Sequence, residues 1–342
     1  MKFKPTSKPD VPQPTSIPST IKIKRLEFGT FPVNECSNRT HLIRLPNIMH
    51  RRTFLKSTLA TSLASSATLK AFALAENNPY RQQIGIQLYT LRNQIADDTA
   101  GTIKAVADAG YKQVEPYGFP NADDMINASK DNGMKVNSSH FAWESVTDPN
   151  KDGVIPFDDI LEKARNHGLS HLVVPYLHNH EREDLDDYKR MANLMNAAAA
   201  KSKSAGIQLS YHNHSFEYAP QKGGVSGYDI LIEEFSDDMQ FELDVFWVKL
   251  GGIDPVKMMK KLEGRVSQIH LKDLKGGLSM PEYDNGAIPK DAFKELGNGI
   301  IDMAPIIEAA WVTGVDHCHV EQDQSPDPLA SVQTSIKYLA GL

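Results

Sequence analysis

The chain has 342 residues, of which 40% are hydrophobic and 23% are charged, and its formal net charge is −6. This composition is ordinary for a globular protein, and the length suits one large α/β barrel. Acidic and basic residues are mixed along the chain, without the basic stripe that follows a phosphate backbone. The sequence therefore argues against nucleic-acid binding.

The first 48 residues differ in composition from the rest of the chain. Residues 1–48 contain many Pro, Ser, Thr and Asn residues and no sustained apolar period. We interpret them as a disordered extension, or as the product of an upstream start choice, because such a segment cannot bury enough apolar surface to fold. The two cysteines are Cys36 and Cys318. Removal of the N-terminal segment would leave only Cys318, so no intrachain disulfide is expected in the mature chain.

A twin-arginine signal peptide is predicted at residues 49–75. Arg51 and Arg52 precede a mildly apolar stretch, which ends in the Ala-Leu-Ala sequence of residues 73–75. That pattern is typical of an export signal with an A-x-A cleavage site. The stretch is too short and too polar to span a membrane stably. The sequence therefore predicts export to the periplasm and a mature chain that begins near Glu76.

Strand-like and helix-like segments alternate from residue 84 to the end of the chain. The predicted strands are Ile84–Tyr89, Lys112–Pro116, Lys135–Ser139, His171–Pro175, Ile207–Tyr211, Gln240–Val245, Val266–Leu271 and His317–Glu321. The predicted helices are Thr99–Ala109, Ala122–Asn132, Phe157–Asn166, Leu185–Ala205, Tyr228–Phe235, Pro255–Leu262, Ile301–Val312 and Asp327–Leu339. Glycine directly follows several of these helices, where a left-handed C-cap is expected.

Eight strands that are each followed by a helix predict a (β/α)₈ TIM barrel, formed by a single domain over residues 76–342. The same alternation permits a doubly wound open sheet. No G-x-G-x-x-G follows the first predicted strand, which argues against a dinucleotide-binding fold.

Metal-type side chains recur at the carboxyl ends of the last four predicted strands. They are His212, Asp244, His270 and Glu321, called here the strand-end cluster. The carboxyl ends of all strands of a parallel barrel meet at one rim, so these side chains are expected to converge. Two imidazoles and two carboxylates suit a divalent ion such as Mn²⁺, Mg²⁺, Co²⁺ or Zn²⁺. Taken singly, a histidine there is more often a satisfied polar group, and an aspartate is often a helix N-cap.

Strand alternation sorts the residues of the last strand into two faces. Cys318 points away from the face that carries His319 and Glu321. We therefore expect no thiolate in the metal site. His319 is a candidate to support Glu321 from beneath.

The order and spacing of several short motifs resemble the xylose-isomerase-like barrel superfamily of sugar isomerases, epimerases and inosose dehydratases. The motifs extend over the whole mature chain: Gly85–Tyr89, Gly110–Glu115, Ser139–His140, Tyr211–His214, Leu243–Asp244, His270–Asp273, Gly297–Gly299 and Val320–Asp323. In that family the fifth to eighth strands supply Glu, Asp, His and Glu to a metal ion. This pattern falls on the strand-end cluster.

One position of the cluster departs from part of the family. The ketose 3-epimerases have a glutamate where this chain has His212, and there two glutamates act on opposite faces of the substrate. The resemblance at Tyr211–His214 is closer to the inosose dehydratase branch. It implies proton removal next to a carbonyl through an enediolate, in an isomerase, epimerase or lyase that acts on a sugar, a keto-cyclitol or a 3-keto-glycoside.

Four residues are candidates for the chemistry. Glu321 is the first choice for a ligand that doubles as the base, since a positioned carboxylate can take the proton. Lys272 lies on the strand face of His270 and is placed to donate to a developing oxyanion. The alternative for Lys272 is a solvent-facing side chain paired with Asp273.

Glu115 and His140 end the second and third predicted strands, so both are expected to reach the rim. Glu115 is a candidate base or substrate-hydroxyl binder, with an ion pair to Arg92 as the alternative. His140 is a candidate substrate contact. Further side chains near the rim are candidates for the pocket wall: Trp143, His178, His180, His214, Phe216, Glu217, Phe246 and Trp247.

These observations favour a metal-dependent enzyme whose partner is a small-molecule sugar or cyclitol. A metal-dependent phosphodiesterase on the same barrel is disfavoured by the acidic balance and by the export signal. A periplasmic sugar-binding barrel without catalysis is the alternative from another class. It predicts ligand binding that survives chelation of metal ions, and no turnover.

Overall fold

The computed structural model describes residues 74–342, all of which belong to one compact unit. The predicted extension and the predicted signal peptide up to residue 73 lie outside the described residues. Within residues 74–342, no helix has both the length and the apolarity needed to cross a membrane.

The strands of the described residues are β1 Gly85–Gln87, β2 Gln113–Glu115, β3 Lys135–Val136, β4 Ser138–His140, β5 His171–Val174, β6 Gln208–His212, β7 Met239–Asp244, β8 Val266–Leu271, β9 Asp273–Leu274, β10 Phe293–Lys294 and β11 His317–Val320. Nine of these strands form one sheet in which every neighbouring pair is parallel, in the order β3-β2-β1-β11-β8-β7-β6-β5-β4. Strands β9 and β10 form a separate antiparallel pair.

The sheet closes almost completely into a barrel at its third strand. The predicted strand Lys135–Ser139 is interrupted at Asn137, so β3 pairs with β2 while β4 pairs with β5. Backbone bonds span the gap: the amide of His140 donates to the carbonyl of Pro116 at 2.9 Å, and the amide of Phe119 donates to the carbonyl of His140 at 3.1 Å. The predicted (β/α)₈ TIM barrel is confirmed.

Helices follow the strands around the barrel. They are α1 Arg92–Asp97, α2 Thr99–Ala109, α3 Asp123–Asp131, α4 Glu144–Thr147, α5 Phe157–His167, α6 Leu185–Ser204, α7 Gly227–Glu234, α8 Val245–Leu250, α9 Pro255–Lys261, α10 Met303–Val312 and α11 Pro328–Ala340. The predicted C-caps at Gly110 and Gly168 adopt left-handed conformations, with φ of 110° and 76°. Asp98 caps the other end of α2 by accepting from the amide of Gly101.

Inward and outward side chains of the barrel strands differ in polarity. On β8, Ile269 and Leu271 belong to the hydrophobic core between the sheet and the helices, whereas Gln268 and His270 contact Glu242 inside the barrel. All five are fully buried. Barrel interiors are usually filled by branched apolar side chains. The polar interior is therefore the feature of this fold that calls for a functional explanation.

Candidate active site

The strand-end cluster converges at the carboxyl end of the barrel. His212 ends β6, Asp244 ends β7, His270 lies in β8 and Glu321 directly follows β11. One donor atom from each residue lies within 4.8 Å of the donor atoms of the others, and all four residues are buried. The parallel sheet thus brings together side chains that are up to 109 positions apart (321 − 212).

Asp244 has the N-cap role weighed from the sequence, and its second carboxylate oxygen faces the strand-end cluster. Its Oδ1 caps α8 by accepting from the amides of Phe246 at 2.8 Å and Trp247 at 3.2 Å. Its Oδ2 is buried and accepts no hydrogen bond of good geometry from the described residues. Oδ2 lies 3.0 Å from the ammonium of Lys272 and 3.8 Å from Nε2 of His212. One oxygen builds the helix start and the other remains available to a cation.

Lys272 is buried among three carboxylates and does not point to solvent. Its Nζ lies 3.0 Å from Asp244, 2.7 Å from Glu321 and 3.1 Å from Asp323. Burial alone would lower the pKa of Lys272, but these carboxylates outweigh burial and raise it well above its usual value. The alternative pairing with Asp273 is wrong, because that carboxylate accepts four backbone amides instead.

The charges around the cluster fit a divalent cation. Burial would lower the pKa of His270, but Glu242 and Glu321 outweigh burial and raise it well above its usual value. Three carboxylates, those of Asp244, Glu321 and Asp323, therefore face two cationic groups, Lys272 and His270, which leaves one negative charge (3 − 2) in a buried setting. Uncompensated buried charge is costly. Two imidazoles and two carboxylates also form a suitable donor set for such an ion. The residues present are therefore able to hold the metal that the sequence predicts.

Glu321 is held from one side and faces the cavity on the other. Among the described residues its side-chain contacts are made by Oε2, which lies 3.0 Å from Nδ1 of His270 and 2.7 Å from Nζ of Lys272. Burial would raise the pKa of Glu321, but these two neighbours hold it well below the usual range. Glu321 is thus ionised at neutral pH and able to accept a proton.

His140 lies beside the cluster as a cation. Its Nε2 lies 2.9 Å from Glu115 and 2.8 Å from Glu242. Burial would lower the pKa of His140, but the two carboxylates outweigh burial and raise it to about 9. The side chain also lines the cavity above the cluster. His140 is therefore placed to give a proton to a bound molecule.

Glu115 does not reach the rim, so that expectation is wrong. The residue is fully buried, and its carboxylate accepts from Nε2 of Gln87 at 3.1 Å and lies 3.1 Å from Nδ1 of His319. The ion pair considered with Arg92 is also absent from the described contacts, because that guanidinium donates to the carbonyls of Tyr89 and Asp323. Glu115 supports His140 from the interior of the barrel.

The interior also holds Glu242, which was not among the predicted site residues. Its carboxylate is fully buried in β7 and lies close to His140, His212, His270 and Gln268. Nearby imidazoles hold the pKa of Glu242 well below its usual range, against the effect of burial. The available signal was its position two residues before Asp244, on the same strand face.

A cavity of about 720 Å³ opens above the cluster. Polar side chains of its lining include His140, His212, Lys272, Glu321 and Asp323, and its aromatic side chains are Tyr89, Tyr117, Phe141, Trp143, Tyr176, Trp247 and Phe293. Burial raises the pKa of Asp323 to about 6. Flat apolar walls with a few convergent polar groups are typical of small-molecule sites.

The other predicted wall residues divide into lining and supporting positions. Trp143, Trp247 and His214 line the cavity. His178 stacks on Trp143, with ring centroids 5.0 Å apart, and His180 stacks on His178 farther out. Behind the lining, Phe246 stacks on Phe293, Phe216 stacks on His214, and Glu217 accepts from the hydroxyl of Tyr211.

Known proteins resemble this chain along most of the barrel. The family model described as a xylose isomerase-like TIM barrel matches residues 103–342. Inosose dehydratase from Lacticaseibacillus casei is 24% identical over 163 residues, which is 45% of this chain and 54% of that enzyme. The chain thus spans about half the length of the curated relatives it matches.

Solved structures show the same fold. A sugar phosphate isomerase/epimerase from Parabacteroides distasonis has a TM-score of 0.59 and 24% identity, covering 75% of this chain and 97% of the other. The IOLI protein, solved with a zinc atom, has a TM-score of 0.55 and 13% identity, covering 76% of this chain and 98% of the other. Since the family model matches more than half of the residues, the chain belongs to the xylose isomerase-like TIM barrel family.

Proposed function

We propose that this protein is a divalent-metal-dependent enzyme that removes a proton next to a carbonyl in a sugar or cyclitol. The observation that carries the proposal is the strand-end cluster at the floor of a cavity that Lys272 and His140 also line. Relatives described as inosose dehydratase, isomerase and epimerase support this class of substrate. The zinc atom of the IOLI protein supports the metal.

Each residue of the site has its own role in the proposed reaction. His212, Asp244, His270 and Glu321 would hold a divalent ion, which supplies Lewis-acid polarisation of the substrate carbonyl. Glu321 is ionised and lines the cavity, so it takes the proton from the carbon. Lys272 donates to the oxyanion that develops as that proton leaves.

Among reactions of this class, elimination of water is favoured by His140. The C–H proton passes to Glu321, the electron pair forms a C=C bond and the β C–O bond breaks. The departing hydroxyl takes a proton from His140 and leaves as water. A cationic imidazole suits that step, and the pKa of about 9 keeps His140 charged at neutral pH. An epimerase would instead use the glutamate that His212 replaces.

Proton exchange in D₂O tests the proposal. Zinc- or manganese-loaded protein is incubated with keto-sugars, inososes and 3-keto-glycosides, and deuterium at the α-carbon and loss of water are followed by NMR and mass spectrometry. The wild type is expected to react and His270→Ala and Glu321→Ala to lose activity. His180→Ala changes an exposed loop histidine and serves as the matched control.

Two other outcomes would decide against the proposal. Sugar binding that survives EDTA, without turnover or exchange, would identify a non-catalytic sugar-binding barrel. Absence of bound metal by elemental analysis, together with absence of exchange on every substrate, would overturn the metal-dependent reaction.

We also propose export through the signal predicted at residues 49–75, with an unphosphorylated substrate in the periplasm.

A further inference from the structure

We propose that the barrel interior binds a second divalent ion, beneath the one proposed at the strand-end cluster. Its ligands are four fully buried side chains from four different strands, called here the deep cluster: Glu115 of β2, Glu242 of β7, His270 of β8 and His319 of β11. One donor atom from each residue lies within 4.8 Å of the donor atoms of the other three. Two imidazoles and two carboxylates form a donor set that suits zinc.

The deep cluster contains buried polar atoms that no hydrogen bond from the described residues satisfies. They are Oε2 of Glu115, Nε2 of His270 and both ring nitrogens of His319. Most buried polar groups in native proteins have a partner, and a group that is left without one destabilises the fold. The concentration of several such atoms in one place therefore indicates a bound species that they share.

The distances within the deep cluster fit ligands of one metal ion. Nδ1 of His319 lies 3.1 Å from Oε2 of Glu115. Nε2 of His270 lies 3.2 Å from Oε1 of Glu242 and 3.6 Å from Oε1 of Glu115. None of these three contacts has the geometry of a hydrogen bond. Ligands that are about 2.1 Å from a tetrahedral zinc ion lie about 3.4 Å from one another, which is the spacing seen here.

Side-chain amides hold the two carboxylates of the deep cluster in place. Oε1 of Glu115 accepts from Nε2 of Gln87 at 3.1 Å, which leaves Oε2 for the ion. Oε1 of Glu242 accepts from Nε2 of Gln268 at 3.2 Å. A carboxylate oxygen has two lone pairs, so this oxygen can also bind an ion. Carboxylates that bind metal ions are usually hydrogen-bonded in this way, which fixes their orientation.

The ring of His319 is fixed by close packing against β1. His319 is the Cα partner of Gly85 in the neighbouring strand, and a Cβ atom on Gly85 would lie 2.4 Å from Cδ2 of the ring. Only glycine permits so close an approach. The ring is thereby held with Nδ1 beside Glu115, as a ligand of a preformed site requires.

The deep ion would have a structural role. Of the described residues that line the cavity, none belongs to the deep cluster, and a four-ligand site without an open position is typical of structural zinc. His270 joins the two sites, because its Nδ1 lies 3.0 Å from Glu321 of the strand-end cluster while its Nε2 faces the deep cluster. Metal binding releases protons from ligands. With both ions bound, the His270 ring loses its proton to solvent and bridges the ions as an imidazolate.

Three substitutions separate the two sites. His319→Leu removes a ligand of the deep cluster and breaks no side-chain hydrogen bond found in the described part of the chain. Replacing an unpartnered polar group by an apolar one of similar size is close to neutral for stability. The matched control is His317→Leu, which lies two residues earlier on the same face of β11 and belongs to none of the ligand groups in residues 74–342. Asp244→Asn removes a ligand of the strand-end cluster alone, and asparagine can still cap α8.

The experiment counts zinc ions in the full-length protein. Each protein is loaded with zinc and dialysed against metal-free buffer, and the ions per chain are measured by elemental analysis and native mass spectrometry. We expect two zinc ions in the wild type and in His317→Leu, and one in His319→Leu and in Asp244→Asn. Anomalous diffraction at the zinc edge should place the deep ion between Glu115 and His319.

The outcomes distinguish the second ion from the proposed function. A single zinc ion in the wild type that His319→Leu keeps, or that both ligand variants lose, overturns the second ion and leaves the strand-end site standing. Two zinc ions that His319→Leu keeps also overturn the deep site. A single zinc ion that only His319→Leu loses supports the deep site and overturns the metal site of the proposed function. A wild type without zinc overturns both. If His319→Leu does not fold, the anomalous peaks of the wild type decide.

Discussion

Lys272 is the residue whose removal should separate stability from metal binding. Without its ammonium, the buried carboxylates of Asp244, Glu321 and Asp323 lose the cation that they share. Removing one partner of a buried ion pair lowers the free energy of unfolding by about 3–5 kcal/mol. We therefore expect Lys272→Met to lose about that much unfolding free energy without metal and to recover part of it with zinc, as measured by urea denaturation. Activity should fall about 100-fold or more, because a donor to the developing oxyanion is lost.

The control for this prediction is Lys275→Met. Lys275 pairs with Asp291 on the surface, with 42% and 61% of the two side chains exposed. Removing a surface ion pair changes stability by less than about 1 kcal/mol. Equal losses in the two variants would contradict the buried role of Lys272, as would a loss that zinc leaves unchanged.

Glu217 should make stability fall as pH rises. Burial raises its pKa to about 7 from an ordinary value of 4.5, although the hydroxyl of Tyr211 and the amide of His214 donate to its carboxylate. Between these two values the folded chain retains a proton that the unfolded chain has lost, so this group destabilises the fold as pH increases. One pKa unit corresponds to about 1.4 kcal/mol, which gives a loss of about 3 kcal/mol.

The variant Glu217→Gln remains neutral and should lack this loss. Its unfolding free energy relative to the wild type should increase by about 3 kcal/mol between pH 4 and pH 8. Urea denaturation of both proteins at several pH values measures the difference, and contributions of other groups cancel in it. A difference that stays constant with pH would show that Glu217 is ionised throughout.

The residues of the site were predictable to different degrees. Convergence of His212, Asp244, His270 and Glu321 follows from strand ends alone, since every strand of a parallel barrel ends at the same rim. Glu242 was missed because it lies one inward position below Asp244, and strand ends give no information about that depth. For the same reason the sequence analysis predicted Glu115 to lie at the rim, whereas the structure buries it inside the barrel.

At the scale of elements, local signals located the helices well. Helix α2 has the bounds predicted from its glycine cap, and the other seven predicted helices begin and end within about two residues of the prediction. The predicted strand Gln240–Val245 ends one residue early because Asp244 caps α8 and starts a helix at Val245. Hairpin β9–β10 was not predicted, because its two strands have two residues each and no periodic pattern.

Asp273 ties this hairpin to the barrel. Its Oδ2 accepts from the amides of Gly297 at 3.0 Å and Gly299 at 2.9 Å, and its Oδ1 accepts from those of Ile301 at 3.0 Å and Leu274 at 2.8 Å. A Cβ atom on Gly299 would clash with the Asp273 carboxylate and with the Leu274 carbonyl. The Gly-Asn-Gly motif is thus explained by close approach of backbone to this carboxylate.

The substitution Asp273→Asn should therefore loosen the cavity wall. An amide replaces one acceptor with a donor that faces backbone N–H groups, at a cost of about 1–3 kcal/mol. Residues 293–301 should exchange backbone hydrogen faster, as measured by mass spectrometry. Asp291→Asn, an exposed change in the same hairpin loop, should leave exchange there unchanged. Equal protection in both variants would contradict the anchoring role.

At the scale of the whole molecule, the barrel has an apolar outer layer and an ionised interior. The helices pack on outward residues such as Leu172, Leu209 and Ile269, so the fold does not need apolar inward residues for all of its core. The interior is then free to hold buried carboxylates and imidazoles that compensate one another. Such networks are costly unless every group finds a partner, which is why they tend to mark functional sites.

The predicted signal-peptide cleavage site follows Ala75, so residues 74 and 75 belong both to the predicted signal peptide and to the described fold. Leu74 is 5% exposed, and its amide donates to the carbonyl of Leu342 at 3.1 Å. The amide of Ala75 donates to Glu308 at 2.7 Å. Cleavage after Ala75 would remove these contacts, so a chain that begins at Glu76 should be less stable than one that begins at Leu74. Because burial of one leucine side chain contributes about 1.5–3 kcal/mol to the free energy of unfolding, we expect a difference of that size between the two chains.

Export of the full chain tests both the route and the cleavage site. In a bacterium with a twin-arginine pathway, the protein should be found in the periplasm with Glu76 as its first residue, as determined by intact-mass spectrometry. Replacing both arginines, Arg51→Lys and Arg52→Lys, should retain it in the cytoplasm, because the pathway recognises the arginine pair.

Urea denaturation of chains 74–342 and 76–342 then measures the contribution of the Leu74 contacts. Export of the double variant at the wild-type level would contradict the route, and equal stability of the two chains would contradict the packing argument.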